Sequence, residues 1–188
     1  MGDIRKLVVF YSRQGRVRQF GQVLAARLDA AVEEIRTPCI GAGSWGSVQA
    51  RWSALLTRPV PIETPRHDPA DFDLVVVGFP TWAGRIAPPI RSYLSRHAEG
   101  LGHAAYFTML TGSADNQVFG EVARLTGRQP ENSLAITKAD RQSGRDADKI
   151  GNFVSNLAQA TSIPVRRPEL RGPGLLDFVS AIGAVGPS

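Results

Sequence analysis

The chain has 188 residues, 43% of them apolar, which suits one domain with a real core and excludes wholesale disorder. Its 22 Lys and Arg outnumber 17 Asp and Glu, giving +5, and the surplus is local: residues 1–28 hold Arg5, Lys6, Arg13, Arg16, Arg18 and Arg27 against Asp3 alone, while the remainder balances. A single cysteine, Cys39, excludes an internal disulfide and a cysteine-built metal site.

The apolar run Leu7 to Tyr11 is too short for a signal-peptide core, and no run spans a bilayer, so a cytoplasmic protein that engages no membrane is expected. The same run, continuous rather than alternating, predicts a strand buried on both faces. After Gly15, apolar residues at Val17, Phe20, Leu24, Ala25 and Leu28 predict a helix. Val32 to Arg36 reads as an edge strand ended by Pro38, and Trp45, Val48, Trp52 and Leu55 mark a short helix with Ser44 as its N-cap. Four prolines make 59–71 a loop. Leu74 to Phe79 is the strongest strand signal. Pro88-Pro89 opens a helix whose inner face carries Ile90, Tyr93, Leu94, His97, Ala98 and Leu101. A fourth strand over Ala104–Leu110, a helix over Asp115–Leu125, a fifth strand over Leu134–Lys138 and a helix striped by Ile150, Phe153, Val154, Leu157 and Ala158 complete the domain, 1–161. Residues 162–188 form a Pro/Arg/Gly-rich tail.

Five strands alternating with helices predict an α/β fold with a doubly wound parallel sheet. Ligands in such sheets sit beyond the carboxyl ends of the strands. Three loops lie there. The first, Tyr11-Ser-Arg-Gln-Gly-Arg-Val17, takes a strand through a glycine turn into a helix start, whose unpaired N–H groups seat a phosphate. Ser12 offers a hydroxyl, Gln14 an amide, and Arg13 and Arg16 charge. The second, Gly78 to Pro89, places Trp82 in a Pro/Gly-framed turn at a strand end, suited to covering a flat ring. The third, Thr111 to Gln117, is small and polar, with accessible backbone N–H groups.

In order and spacing these loops resemble those of the flavodoxin-like proteins that bind flavin mononucleotide (FMN). The segment Phe72-Asp-Leu-Val-Val-Val-Gly-Phe-Pro-Thr-Trp-Ala-Gly84, followed by Ala-Pro-Pro-Ile-Arg91, carries the resemblance most specifically, and it extends over about residues 4–160. The resemblance implies a five-stranded sheet of order 2-1-3-4-5 between two helical layers. It also implies that FMN is the cofactor of an electron carrier or small quinone-type reductase. Its phosphate would lie on Ser12, Arg13, Gln14, Gly15, Arg16 and Val17, its ring against Pro80, Thr81, Trp82, Ala83 and Gly84, and its pyrimidine edge on Thr111, Gly112, Ser113 and Asp115. No catalytic side chain is implied, because the flavin carries the electron chemistry. The partner would be a redox protein or a small-molecule acceptor, and a homodimer is the expected assembly.

The chain departs from the family where the phosphate binds: Gln14, Arg16 and Val17 stand where a hydroxyl, an amide and a hydroxyl are usual. Two outcomes follow. Either Arg13 and Arg16 pair with the phosphate, or they take its place. In the second case the domain is a non-enzymatic module binding another anion or a partner protein. Gly41-Ala-Gly-Ser-Trp-Gly46 fits a dinucleotide fingerprint but follows Pro38 and a poor strand, so chance explains it. His67, His97 and His103 do not cluster and read as structural, and no metal site is expected. Arg166, Arg167 and Arg171 read as solvated linker, and no nucleic-acid partner is expected. A phospho-accepting receiver domain shares the topology, but the first strand ends in Tyr11-Ser12 rather than paired acids.

Overall fold

The computed structural model describes residues 4–38, 60–110, 115–130 and 132–160. Within them lie β1 (Lys6–Phe10), α1 (Arg16–Leu28), β2 (Ala31–Glu34), β3 (Leu74–Trp82), β4 (Arg85–Ile86), α2 (Pro88–His97), β5 (His103–Met109), α3 (Asp115–Thr126), β6 (Asn132–Ile136), α4 (Lys138–Ser143) and α5 (Arg145–Ala160). The sheet order is β2-β1-β3-β5-β6, all parallel, with β4 paired antiparallel to the far end of β3. Leaving β4 aside, this is the 2-1-3-4-5 order anticipated.

The apolar strand runs have the physical consequence expected of them. Odd positions of β1 (Leu7, Val9) join Val75, Val77, Phe79, Ile90, Tyr93, Leu94, Val118 and Val122 in one core, under α2 and α3. The even positions (Val8, Phe10) join Val76, Phe107 and the inner faces of α1 and α5, namely Val17, Phe20, Leu24, Ile150, Phe153 and Leu157. A period of two thus feeds two cores, and three layers result. Gly78 is required by close approach, since a Cβ there would collide with the ring of Phe107.

Several boundaries differ from the sequence expectation: β1, β2 and β5 each start one residue earlier and end one or two residues earlier, and β6 starts at Asn132. β3 continues through Pro80 to Trp82 and folds back, so the second loop is partly a β-hairpin. The fifth parallel strand ends at Ile136, and Lys138 opens α4, a separate short helix. The last helix begins at Arg145. The Pro88 helix stops at His97, followed by a 3-10 turn over Ala98–Gly100. β2 is an edge strand, and its Glu33 is buried: the carboxylate accepts from the backbone N–H groups of Arg66 and His67 and contacts His67 Nδ1 at 2.9 Å, clamping the 60–67 segment to the edge. The expected helix over 44–55, the Gly41–Gly46 motif, Cys39 and the 162–188 tail lie outside the described residues. Among the described residues no helix is long and apolar enough to cross a membrane.

Candidate functional site

Parallel winding puts the ends of β1, β3 and β5 side by side. The chain leaves β1 towards β2 on one side and leaves β3 towards β5 on the other, so the winding reverses between β1 and β3, the position at which such sheets bind ligands beyond the strands' carboxyl ends. Tyr11 continues the strand, its N–H donating to the Gly78 carbonyl at 3.1 Å. Ser12 to Gly15 then turn into α1.

Gly15 makes the turn with φ +80, a left-handed conformation that side chains resist, and the space its Cβ would occupy is open. It is the N-cap of α1 and, being glycine, supplies no side-chain oxygen; no acid stands in the first turn. The first-turn N–H groups therefore lack the usual cap. Beside them, Ser12 Oγ is buried with no hydrogen-bond partner among the described residues. A buried hydroxyl left unpaired is costly, and an uncapped helix start carries partial positive charge. Both defects are met by one anion seated on the loop, so the donor set fits a phosphate.

The other members of the loop divide. Arg13 lies with its guanidinium carbon 5.7 Å from the centroid of the Trp82 ring, within cation–π range. Gln14 and Arg16 are exposed at the mouth of the turn. Val17 is 3% exposed and packed in the lower core, so only its backbone N–H is available to a ligand. Arg18 is committed elsewhere, to Glu34 on β2, with Nη2 and Nε at 2.7 and 3.0 Å from the carboxylate oxygens.

Trp82 ends β3, half-buried, with the Tyr11 ring set edge-on 6.0 Å away. Tyr11 is itself buried, and burial raises its hydroxyl pKa despite the nearby charge of Arg13. Trp82 thus both touches the upper core and stands at the carboxyl end of β3. Ala83 and Gly84 form the two-residue turn to β4, with φ of +49 and +71, both left-handed as a type I′ hairpin requires. Thr81 faces Ile86 across the hairpin and both are buried; Trp82 faces Arg85. Pro80 pairs in register with Met109. Of the third loop, Thr111, Gly112 and Ser113 lie outside the described residues, and Asp115 is the first residue of α3.

A charged cluster beyond the hairpin was not visible as a site in the sequence. Glu121 of α3 is 3% exposed; one oxygen accepts the Ile86 N–H at 3.1 Å and the other pairs with Arg91 of α2. Arg85 stands 3.9 Å from the same carboxylate. Burial, and then the charges of Arg85 and Arg124, hold the Arg91 pKa below the ordinary arginine value. The available signal was the helical spacing of Gln117, Glu121 and Arg124. His67 and His97 do pack structurally: His97 stacks on Tyr93 at 4.8 Å, and burial lowers its pKa. Among the described residues no group of His, Cys, Asp or Glu is arranged to hold a metal ion.

No protein-family model matches the chain, and no curated protein matches it. Solved structures do. A flavoprotein from Lactobacillus acidophilus NCFM in complex with FMN is similar at 17% identity and TM-score 0.61, over 76% of this chain and 98% of that one. A Fusobacterium nucleatum flavodoxin bound to FMN is similar at 9% identity and TM-score 0.52, over 84% and 99%. An NADH:FMN oxidoreductase in its apo form is similar at 11% identity and TM-score 0.52, over 90% and 97%. These likenesses, with the strand order, show that the chain has the flavodoxin-like fold.

Proposed function

We propose that this protein binds FMN at the carboxyl ends of β1 and β3 and works as a redox protein, either an electron carrier or a small quinone-type reductase. The observation that carries the proposal is the unpartnered Ser12 Oγ beside an uncapped helix start. The solved structures of this fold that hold FMN support it. Ser12 and the backbone N–H groups of Gly15 to Val17 hold the phosphate, Arg16 adds charge at its rim, and Trp82 with the Ala83–Gly84 turn borders the ring. Bound flavin supplies one- and two-electron chemistry that no side chain provides. The chain's own part is to orient the ring, and Trp82 with Tyr11 keeps water from one side of it.

The alternative, a module that binds another anion or a protein partner at the same loop, draws on Arg13: its guanidinium lies at the Trp82 ring rather than over the first turn of α1.

Titration with FMN and with riboflavin, followed by quenching of flavin fluorescence, tests the proposal. Loaded protein is expected to show bands near ~370 and ~450 nm. FMN should bind at least about tenfold tighter than riboflavin, because only FMN carries the phosphate. A colourless protein that quenches neither flavin defeats the proposal and leaves the alternative.

A further inference from the structure

We infer that the cleft beyond the β3–β4 hairpin is a second binding site, and that it takes the oxyanion group (carboxylate, sulfonate or phosphate) of a small molecule, the one that exchanges electrons with the flavin. What the site binds is argued from its own residues; its redox purpose rests on the FMN proposal.

The cleft holds roughly 540 Å³, in the range of small-molecule sites, and is lined by Ala83, Gly84, Arg85, Gln117, Gly120, Glu121 and Arg124. One wall is the turn that ends β3 and the other is a single face of α3, where positions 117, 120, 121 and 124 stack on successive turns. Its charge is unbalanced. Among the described residues, three guanidiniums (Arg85, Arg91 and Arg124) meet one carboxylate, Glu121. That carboxylate is consumed by the partly buried Arg91 and the Ile86 N–H, leaving Arg85 at the long distance of 3.9 Å and Arg124 exposed on the helix. The two remaining cations line the same cleft, and guanidinium forks are suited to planar or tetrahedral oxyanions.

Gly120 is the second observation. It sits inside a helix, where glycine is unfavourable relative to alanine. Among the described residues nothing requires it: a Cβ there would meet no atom within 4 Å. The glycine instead leaves open space in the lining of the cleft that Arg85 and Arg124 share. Arg85 is also the cross-strand partner of Trp82, and such partners share a face of the hairpin, which sets the cationic cleft next to the proposed flavin ring. A concave volume of this size, with two guanidiniums in its lining, fits the charged group of a small molecule.

The test uses a matched pair of probes, a naphthoquinone sulfonate and the uncharged menadione. Binding to the full-length protein is followed by calorimetry, without flavin and after loading with FMN. The sulfonate should bind at least about tenfold tighter than menadione in both forms. Arg85→Gln/Arg124→Gln should abolish that preference while leaving menadione binding and the far-ultraviolet circular dichroism unchanged. Gly120→Leu, which fills that space and restores a good helix former, should block both probes without lowering the melting temperature. Equal binding of the two probes by the wild type, or a preference that survives the double substitution, overturns the inference. If the flavin titration fails but the preference and its loss are seen without flavin, the oxyanion site stands and only its redox role falls.

Discussion

Single residues set the character of the proposed flavin site, and two of them make opposite predictions. Ser12 Oγ makes no hydrogen bond among the described residues, so removing it costs the fold nothing. Ser12→Ala is expected to leave the melting temperature unchanged or slightly raised while weakening FMN by about tenfold or more, the worth of a hydrogen bond to a charged group. Riboflavin affinity should not change, which separates lost phosphate contact from general damage. Ala83 is the reverse case. A non-glycine residue at φ +49 carries about 1 kcal/mol of backbone strain. Ala83→Gly relieves it, and the gain exceeds the extra freedom the unfolded chain acquires. Urea unfolding of the flavin-free protein should show a net stabilisation of about 0.5 kcal/mol; a loss of stability would mean the turn is not strained. Both residues were legible in the sequence, because residue types in short loops at strand ends report local chemistry. Glu121 was not. Its environment is set by Arg91 and Arg85, which lie about thirty positions earlier and reach it only once α2 and α3 pack on the sheet.

At the scale of elements, β1, α1 and the buried first part of β3 could be read almost to the residue, since burial on both faces or on one stripe writes itself into composition. Two elements could not. The extension of β3 into a hairpin places Pro80 in a strand, where it is disfavoured away from edges, and only the pairing with β4 reveals it. Helix α4 is six residues long, too short for a periodic signal. Its start is nevertheless written in polar chemistry. Thr137 caps it, the Asp140 N–H donates to Thr137 Oγ1 at 3.1 Å, and the Asp140 carboxylate accepts from the Thr137 N–H at 2.9 Å and pairs with Lys149 Nζ at 2.8 Å. The Lys149 contact foremost, then the Thr137 N–H and hydroxyl, hold the Asp140 pKa well below the ordinary 3.8. A pKa depressed in the folded state means stability that is full above the ordinary value and is lost as pH falls below it. Asp140→Asn should therefore lower the urea midpoint at neutral pH, with the deficit shrinking as the pH is taken well below 3.8. A deficit that is constant across that range would show that the carboxylate contributes only as a neutral hydrogen-bonding group.

Over the whole molecule the surplus of +5 lies in residues 1–28, and its members have different tasks. Some of the N-terminal basic residues serve the fold: Arg18 ties α1 to β2, and Lys6 donates to the Leu28 carbonyl at 2.8 Å. Of the others, Arg13 and Arg16 stand at the carboxyl end of β1, and Arg85 and Arg124 join them at that end of the sheet from the part of the chain whose charges balance. Arg13 and Arg16 flank the first loop and Arg85 and Arg124 line the cleft past the second, with Glu121 the one acid among the described residues of that cleft's lining. Composition alone could locate the first pair, because they are consecutive with the loop. It could not locate the second, because the fold brings them there from β4 and α3. This placement has a thermodynamic consequence. Adding the second electron to flavin tends to leave an anion, and a site rich in guanidinium favours it where an acidic site opposes it. The potential of that second step in this protein should therefore be less negative than in an acidic flavodoxin of the same fold. Because the cations are exposed, the difference should narrow as salt rises from about 0.05 M to about 0.5 M, where screening shortens their reach. Arg13→Gln/Arg16→Gln should move the potential in the negative direction, and Arg85→Gln/Arg124→Gln should do so independently if the two groups act on the ring from separate sides. Potentiometric titration at both salt concentrations reads each of these. A second step as negative as in acidic flavodoxins, unmoved by salt or by either double substitution, would show that solvent and backbone dipoles, not these four cations, govern the field at the ring.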